Sequence, residues 1–418
     1  MRIDAVKITN FKTFEKLDLK LNDFNVLIGA NASGKSSFVQ FFKFFKDITT
    51  SGFNNAIALQ GGVDYLRNVN IGASVPLTIE ISFGDIGTNF SMFFLGNDQK
   101  VELSKFNYRI VIGFNKRHSY KVLEDKIELE YIFSQPNVKT DSSSNNPNLL
   151  KGYVTFTSIN GRPRVTQTIP NEIKLRPEYK DLPIGYLNSF PLKGNLLIET
   201  PFILYPFIDT MDLSAISLYD FDSKLPKKSV SISSKADLDS DGSNLAIVLK
   251  NLLDEPKKKK EFTRLLADIL PFVQNIKVEG LADKSFLFKI QELYNSNMYL
   301  PASFLSDGTI GIIALILALY FNRSSGIVII EEPERNIHPS LISKIVSMMK
   351  DVSLRKQILI TTHNVEVLKH TDVSDLLLIS RLPNGFSQIQ RPVELEYVKT
   401  FLAQELGIED LFIQNLLS

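Results

Sequence analysis

The stretch Phe24-Asn25-Val26-Leu27-Ile28-Gly29-Ala30-Asn31-Ala32-Ser33-Gly34-Lys35-Ser36 decides the fold. Its first five residues are mostly apolar and predict a short buried strand, and its last eight match the pattern G-x-x-x-x-G-K-[ST]. A helix is predicted over Lys35–Asp47, so the glycine-containing loop lies between a strand and a helix. Glycines let backbone N–H groups approach an anion closely, and the N-terminus of a helix adds a favourable partial charge. The stretch therefore predicts a phosphate-binding loop.

Particular side chains of this loop have expected roles. Lys35 is expected to reach the β- and γ-phosphates of a nucleoside triphosphate, and the Ser36 hydroxyl is expected to hold Mg²⁺. Ser37 is either a second phosphate contact or a first-turn serine with a local hydrogen bond. The remaining expected contacts to the nucleotide are Gly29, Asn31, Ser33 and Gly34.

A second chemical signal is an apolar run that ends in acids. Ile327–Ile330 predicts a central strand buried on both faces, and Glu331 and Glu332 follow it directly. Ligands of open α/β sheets bind at the carboxyl ends of strands. Glu331 is expected to orient the Mg²⁺ shell, and Glu332, on the opposite side, is expected to act as general base for an attacking water. Glu334 is expected to be structural.

Two further residues fall near predicted element ends. Ser306 precedes a helix predicted over residues 308–321, where it is either a helix cap or part of an anion site. His363 follows a strand predicted over residues 357–361. A histidine at that position can donate a hydrogen bond to a γ-phosphate and respond to its loss.

Composition limits the class of protein. The chain has 418 residues, 47 basic and 46 acidic, with a formal charge of +1, which argues against a generic polyanion binder. It has no cysteine, so disulfides, thiolate zinc sites and thiol nucleophiles are excluded. The longest apolar run, residues 310–321, is too short to span a membrane, and the N-terminus does not resemble a signal peptide. We therefore expect a cytoplasmic protein without membrane contact.

The pattern of elements predicts an α/β fold. Strands and helices alternate from residue 308 onward, which favours a mostly parallel sheet, whereas residues 75–170 predict an antiparallel meander. Helices are predicted over residues 244–253 and 261–269, separated by Lys257–Lys260. Residues 135–148 predict an exposed loop, and residues 394–409 an amphipathic terminal helix. The expected domains are a discontinuous head domain that contains the phosphate-binding loop, residues 1–180 with 276–418, and a helical lobe, residues 181–275.

The order of the motifs resembles the ABC-type ATPase head, and more narrowly the SMC/RecF/OLD-like branch of AAA-type ABC ATPases. The residues that carry this resemblance are Gly29–Ser36, Leu305–Thr309, Ile327–Glu332 and Thr361–Asn364, with supporting similarity in Ile8–Lys12, Asp241–Leu245 and Glu331–Glu334.

The resemblance implies an ABC-ATPase P-loop fold that binds ATP and Mg²⁺ and hydrolyses ATP. It implies a homodimer, or a higher even oligomer, in which Ser306 and Gly308 contact the ATP held by a second subunit. It assigns Lys12 to a nucleotide phosphate and Gln60 to the magnesium-contacting glutamine loop. Alternatives to Gln60 are Asn54, Asn55 and Asn68, and the candidates for stacking on adenine are Phe11, Phe14 and Phe24.

Two departures from the branch bear on function. Glu331 stands where many relatives carry aspartate, and the segment after His363 has no D-x-D strand end for a metal-dependent nuclease domain. We therefore expect an ATPase that regulates or delivers a separate effector, a nuclease or toxin, in anti-phage defence. The alternative is a RecF-like ATPase of DNA repair or DNA-end binding, for which the candidate nucleic-acid contacts are Lys224, Lys227, Lys228 and Lys257–Lys260.

Overall fold

The computed structural model describes residues 2–84, 86, 89–90, 100–115, 119–134, 150–159, 161–171, 195–200, 215–231, 237–295, 297–322, 326–395 and 398. The chain divides into two compact units. The first contains Met1–Leu21, Ser36–Ser214 and Arg381–Gln388, and the second contains Asn22–Lys35, Ala215–Ser380 and Ile389–Ser418.

The elements alternate between strands and helices mainly in the second unit. The strands are β1 (Arg2–Phe11), β2 (Phe14–Lys20), β3 (Phe24–Ile28), β4 (Leu77–Gly84), β5 (Asn89–Phe90), β6 (Lys100–Phe114), β7 (Tyr120–Ser134), β8 (Leu150–Ile159), β9 (Arg162–Thr168), β10 (Ile216–Tyr219), β11 (Val230–Ser231), β12 (Val273–Gly280), β13 (Ser285–Glu292), β14 (Tyr299–Pro301), β15 (Ile327–Glu331), β16 (Gln357–Thr362), β17 (Leu376–Arg381) and β18 (Ser387–Gln390). The α-helices are α1 (Lys35–Ser51), α2 (Phe53–Leu59), α3 (Val63–Leu66), α4 (Leu245–Leu253), α5 (Pro256–Ile269), α6 (Asp307–Ile316), α7 (Pro339–Ser353) and α8 (Val365–Lys369).

The first unit is built on an antiparallel sheet. Its strand order is β2-β1-β4-β6-β7-β8-β9, with β5 paired to β6. Strands β4 and β6–β8 confirm the predicted meander, and the sheet also contains β2 and β9, which the sequence pattern did not indicate. Helix α1 carries phenylalanine rings on several of its faces, and all are at most 1% exposed: Phe38, Phe41, Phe42, Phe44 and Phe45.

The second unit contains a sheet in the order β10-β15-β16-β3-β17-β18. The pairs β10–β15, β15–β16, β16–β3 and β3–β17 are all parallel, which confirms the predicted parallel sheet. The inner strands are apolar, and a core including Val328, Phe262 and Met349 joins the sheet to its helices. Because the four strands β10, β15, β16 and β3 run in one direction, their carboxyl ends share one edge of the sheet.

A smaller antiparallel sheet, β11-β13-β12 with β14 on β13, also belongs to the second unit. The helix predicted over residues 308–321 begins at Asp307 and continues beyond α6 as a π-helical segment, Leu317–Phe321. One local prediction was wrong: Lys257–Lys260 do not separate two helices but form the start of α5. Lysine is a good helix former, and Pro256 occupies the first helical turn, where its missing N–H is tolerated.

Several predictions concern residues that are described only in part. Residues 135–148 lie outside the described residues, as does most of the predicted terminal helix over residues 394–409. The predicted domain limits, including the helical lobe over residues 181–275, stay a prediction. The three rings considered for adenine stacking, Phe11, Phe14 and Phe24, are at most 3% exposed and belong to the core.

Candidate functional site

The backbone of the loop between β3 and α1 requires glycine at particular positions. A Cβ atom on Gly29 would lie 2.2 Å from the carbonyl oxygen of Ile379, so only glycine fits there. Gly34 has a φ of 114°, which glycine adopts without strain, and Ala32 also has a positive φ of 61°. These conformations produce the tight turn that the sequence pattern predicts ahead of the helix.

Lys35 is buried inside this turn. Its Nζ atom donates hydrogen bonds to the carbonyl oxygens of Gly29, at 2.7 Å, and Ala30, at 3.0 Å. Burial lowers the pKa of Lys35, and the negative charges of Glu332 and Glu331, together with that of Glu334, partly oppose this effect. The Lys35 amine therefore lies in the electric field of three carboxylates. Glu331 is the last residue of β15, and Glu332 and Glu334 lie in the loop that follows it.

Glu332 has an unusual backbone at the end of β15. Its φ is 46°, in the left-handed region, and its N–H donates to the carbonyl oxygen of Thr361 at 2.9 Å. A left-handed conformation costs a non-glycine residue roughly 1–2 kcal/mol. Such strain is frequent at functional positions, where the surrounding structure holds the residue in place.

His363 contacts Glu332 directly. The Nδ1 atom of His363 lies 2.7 Å from Oε1 of Glu332, so the structure brings together two residues that the sequence placed 31 positions apart. Burial by itself raises the pKa of Glu332, but the hydrogen bond and charge of His363, with those of Arg335, outweigh it and lower that pKa. The Glu332 carboxyl is thus held in its ionised form, as a general base requires.

Glu334, two residues after Glu332, carries a buried carboxyl group. It is 5% exposed, it accepts a hydrogen bond from the Thr362 hydroxyl, and its Oε2 atom has no hydrogen-bond partner among the described residues. Burial raises its pKa. The contact with Thr362 ties the loop after β15 to the end of β16, which agrees with the structural role predicted for Glu334.

Two residues at this edge of the sheet were not predicted. Nη1 of Arg335 donates to Oδ1 of Asp220 at 2.9 Å, and its Nε donates to Oε2 of Glu332 at 3.3 Å. Arg335 lies three residues after Glu332, and Asp220 directly follows β10. For Arg335, the available sequence signal was an arginine shortly after the acidic strand end. For Asp220 there was no such signal, because β10 was not predicted.

Ser306 and Gly308 lie at the start of α6. The Ser306 hydroxyl accepts a hydrogen bond from the Thr309 N–H at 3.1 Å, so Ser306 is the N-cap of the helix, as one of its two readings predicted. A Cβ atom on Gly308 would lie 2.6 Å from the carbonyl oxygen of Asn336. Glycine here lets α6 pack against the loop that follows β15, and Asp307 forms an ion pair with Lys227 beside it.

Four of the predicted site residues, Lys12, Ser36, Ser37 and Gln60, belong to the first compact unit. Ser36 is exposed and Ser37 half-buried in the first turn of α1. Lys12 has a φ of 46°, and its Nζ atom donates to the carbonyl oxygen of Tyr65 at 3.4 Å. Burial lowers the pKa of Lys12, and the charge of Lys43 lowers it further.

Gln60 ends α2 and is followed by two glycines with positive φ, Gly61 and Gly62. It is 6% exposed, and neither Nε2 nor Oε1 has a hydrogen-bond partner among the described residues. The three alternatives all use their side chains in hydrogen bonds: Asn54 with Tyr120, Asn55 with Ser51 and Asn68 with Lys12. A buried amide left without partners favours Gln60 as a ligand-contacting side chain.

The magnesium ligands expected from the sequence stay a prediction. Ser36, Glu331 and Gln60 each offer an oxygen donor of the kind that Mg²⁺ prefers. Among the described residues, no three His, Cys, Asp or Glu side chains lie close enough to hold a metal ion by themselves.

Comparisons with known proteins place the chain in a family. Residues 24–369 match the family described as "AAA domain, putative AbiEii toxin, Type IV TA system". This match covers most of the chain and includes the phosphate-binding loop, the acidic strand end and His363. The protein is therefore an AAA-family ATPase, and it belongs to the family with that description.

The solved structures that match the chain include SMC head domains. The SMC head domain from Thermotoga maritima is 14% identical, with 94% of this chain and 99% of that chain covered and a TM-score of 0.45. A Smc head domain derived from Pyrococcus furiosus, bound to the C-terminal domain of ScpA, is 12% identical, with 96% and 98% covered and a TM-score of 0.46. An SmcHead bound to the C-winged helix domain of ScpA is 12% identical, with 93% and 97% covered and a TM-score of 0.49.

No curated protein matches the chain. Within the described residues, none of the helices has both the length and the apolar character needed to cross a membrane.

Proposed function

We propose that this protein binds ATP with Mg²⁺ and hydrolyses it to ADP and phosphate. The observation that carries the proposal is the grouping of Lys35, Glu332 and His363 at neighbouring strand ends of one parallel sheet. Lys35 supplies a cation inside a glycine-containing turn, and Glu332 supplies an ionised carboxylate hydrogen-bonded to His363. A phosphate-binding cation beside a general base is the combination that nucleotide hydrolysis needs.

Each residue then has a distinct role. The N–H groups of the loop and the Lys35 amine bind the β- and γ-phosphates and balance their charge. Glu332 accepts a proton from the attacking water, and His363 orients the Glu332 carboxylate through its Nδ1 atom. Ser36, Glu331 and Gln60 would hold Mg²⁺, which neutralises phosphate charge when it is bound.

The resemblance to ABC-type heads supports a dimer in which ATP is shared. In this proposal Ser306 and Gly308 of one subunit contact the ATP bound by Lys35 of the other, and two-fold symmetry creates two such sites. The family description names a toxin and a toxin–antitoxin system. It supports a toxin–antitoxin or defence role, and within that role we propose that ATP-dependent closure regulates or delivers a separate effector, a nuclease or toxin, in anti-phage defence.

The hydrolysis step is tested with Glu332→Gln and Lys35→Ala. Glu332→Gln is expected to keep ATP binding and to lower turnover by about 10²- to 10⁴-fold, the usual contribution of a general base. Lys35→Ala is expected to lose ATP binding. The matched control is Glu279→Gln, which makes the same change in an ion pair on β12. Parent-level turnover by Glu332→Gln would refute the assignment of Glu332.

The effector role is tested by purifying tagged Glu332→Gln and Lys35→Ala proteins from the native host. A nuclease or toxin recovered with Glu332→Gln in ATP, and absent from Lys35→Ala, would support the role. Recovery of the same protein with both variants would contradict ATP control of the interaction.

A second candidate function is ATP-dependent DNA-end binding. Lys257, Lys259 and Lys260 are exposed at the start of α5. Lys227 and Lys258 already form ion pairs with Asp307 and Glu255. DNA binding that weakens with salt and disappears when the three exposed lysines are changed to glutamine would favour this function.

A further inference from the structure

Four charged or ionisable side chains form a continuous chain across three neighbouring strand ends. Asp220 follows β10, Glu332 and Arg335 follow β15, and His363 follows β16. The contacts run from Asp220 to Arg335 at 2.9 Å, from Arg335 to Glu332 at 3.3 Å and from Glu332 to His363 at 2.7 Å. The residues after the outer strands β10 and β16, Asp220 and His363, are thus the two ends of the chain, and the residues after the middle strand β15 lie between them.

The Glu332 carboxylate has a separate partner on each oxygen. Oε1 contacts His363 and Oε2 accepts from Nε of Arg335, so rotation of the carboxylate would break a contact on either side. A planar guanidinium suits this purpose because its N–H groups point in fixed directions.

Arg335 is in turn held from two sides. Its Nη1 atom donates to the Asp220 carboxylate at 2.9 Å and to the carbonyl oxygen of Phe221 at 3.4 Å. Its backbone N–H donates to the carbonyl oxygen of Glu332 at 2.9 Å, which closes the turn between them. The guanidinium therefore connects the carboxylate on β15 to the end of β10, an element outside every sequence motif of the site.

We propose that Arg335, anchored by Asp220, is a positioning residue that fixes the Glu332 carboxylate for activation of the attacking water. The inference rests on the proposed ATP hydrolysis and adds two residues to it. Neither Arg335 nor Asp220 belongs to the phosphate-binding loop, so both act on the rate of the chemical step and leave nucleotide affinity unchanged.

A stabilising role alone does not explain the chain of contacts. The Arg335 side chain is 43% exposed and that of Asp220 is 58% exposed. Exposed ion pairs contribute little to folding stability, because water and salt screen them. Removal of either residue is therefore expected to leave the protein folded, and an effect on turnover can be measured separately from an effect on stability.

The test compares Arg335→Ala, Asp220→Asn and the double variant with the parent. Arg335→Ala is expected to lower kcat by about 10- to 100-fold, the scale of a misplaced catalytic group. The KM for ATP and the melting temperature are expected to stay close to those of the parent. Asp220→Asn is expected to lower kcat less, and to have no further effect when Arg335 is already alanine, because Asp220 acts through Arg335.

A second comparison uses the Glu332→Gln background. If Arg335 acts through Glu332, then adding Arg335→Ala to Glu332→Gln leaves the residual rate unchanged. The matched control is Arg355→Ala, which removes an exposed arginine paired with Asp351 on α7. This control is expected to hydrolyse ATP at the parent rate.

Three results would overturn the inference. Arg335→Ala turnover equal to or faster than that of the parent would remove the positioning role. If Asp220→Asn lowered kcat equally with and without Arg335, then Asp220 would not act by anchoring Arg335. A further loss of turnover when Arg335→Ala is added to Glu332→Gln would show that Arg335 acts through a group other than Glu332. A parent that does not hydrolyse ATP would instead refute the proposed function, and this inference with it.

Discussion

The Nδ1 atom of His363 lies 2.7 Å from Oε1 of Glu332, although the two residues follow different strands. Strands β15 and β16 are parallel neighbours, and Glu331 pairs in register with Thr361. This register sets the two strand ends level, so the residues that follow them meet.

We expect His363→Ala to lower ATP turnover by about 10-fold or more, because the Glu332 carboxylate loses the partner on Oε1. Steady-state kinetics with and without this change provide the measurement. His370→Ala is the control, since His370 ends α8 and is exposed. Turnover at the parent rate in His363→Ala would show that this contact has no part in hydrolysis.

Gln60→Leu is expected to stabilise the fold while weakening hydrolysis. A buried amide without hydrogen bonds costs about 1–3 kcal/mol, which an apolar side chain of similar size avoids. The melting temperature is therefore expected to rise by a few degrees, and the Mg²⁺ concentration needed for ATP hydrolysis is expected to increase.

Asn68→Ala provides the contrast for Gln60. The Asn68 side chain donates to the carbonyl oxygen of Lys12 and accepts from the N–H groups of Asn70 and Ile71. Its loss is expected to lower the melting temperature. A lower melting temperature in Gln60→Leu as well would mean that the Gln60 amide contributes to folding.

Ser306→Arg is expected to prevent ATP-dependent dimerisation, because it places a large cation where the partner's ATP is proposed to bind. The measurement is molar mass in solution with and without ATP, in the Glu332→Gln background. Adding the same charge at exposed Asn251 on α4 is the control. Dimerisation that persists in Ser306→Arg would remove Ser306 from the shared site.

The Asp125 carboxyl of β7 is expected to make stability depend on pH. Burial raises the pKa of Asp125 to about 7, although the backbone N–H of Leu197 and the Tyr108 hydroxyl favour the ionised form. The folded protein thus keeps a proton that the unfolded chain releases near pH 3.8. The stabilisation that this protonated carboxyl contributes is fully present below pH 3.8, and it is lost as the pH rises from there through about 7.

Asp125→Asn removes this dependence. Relative to the parent, the variant is expected to gain stability between pH 5 and pH 8, by at most roughly 4 kcal/mol at the upper end. Thermal unfolding across that range is the measurement. Asp18→Asn, an exposed carboxylate paired with Lys7, is the control. A constant difference between Asp125→Asn and the parent would contradict the shifted pKa.

The parts of the fold that could be predicted have local signatures. Phe24–Ile28 is an apolar run closed by glycine, and the strand has those bounds. The acids after residues 327–330 likewise marked a strand end. The prediction for Lys257–Lys260 was wrong, because four adjacent charges were interpreted as a break between two helices. Lysine favours helices, and these residues lie in α5.

The contacts that complete the site could not be predicted in this way. The pairing of Arg335 with Asp220 joins residues 115 positions apart and depends on the position of β10 at the edge of the sheet. The close approach of Gly308 to Asn336 also depends on tertiary packing. The sequence pattern predicted the residues that are proposed to carry the chemistry, whereas the sheet order determines which residues contact them.

The left-handed backbone of Glu332 has a consequence for how this position tolerates change. Glycine would relax the main chain there at no steric cost, yet it would delete the carboxylate. Glu332→Gly is therefore expected to remove backbone strain and the proposed general base together, so selection for thermostability alone would favour less active descendants.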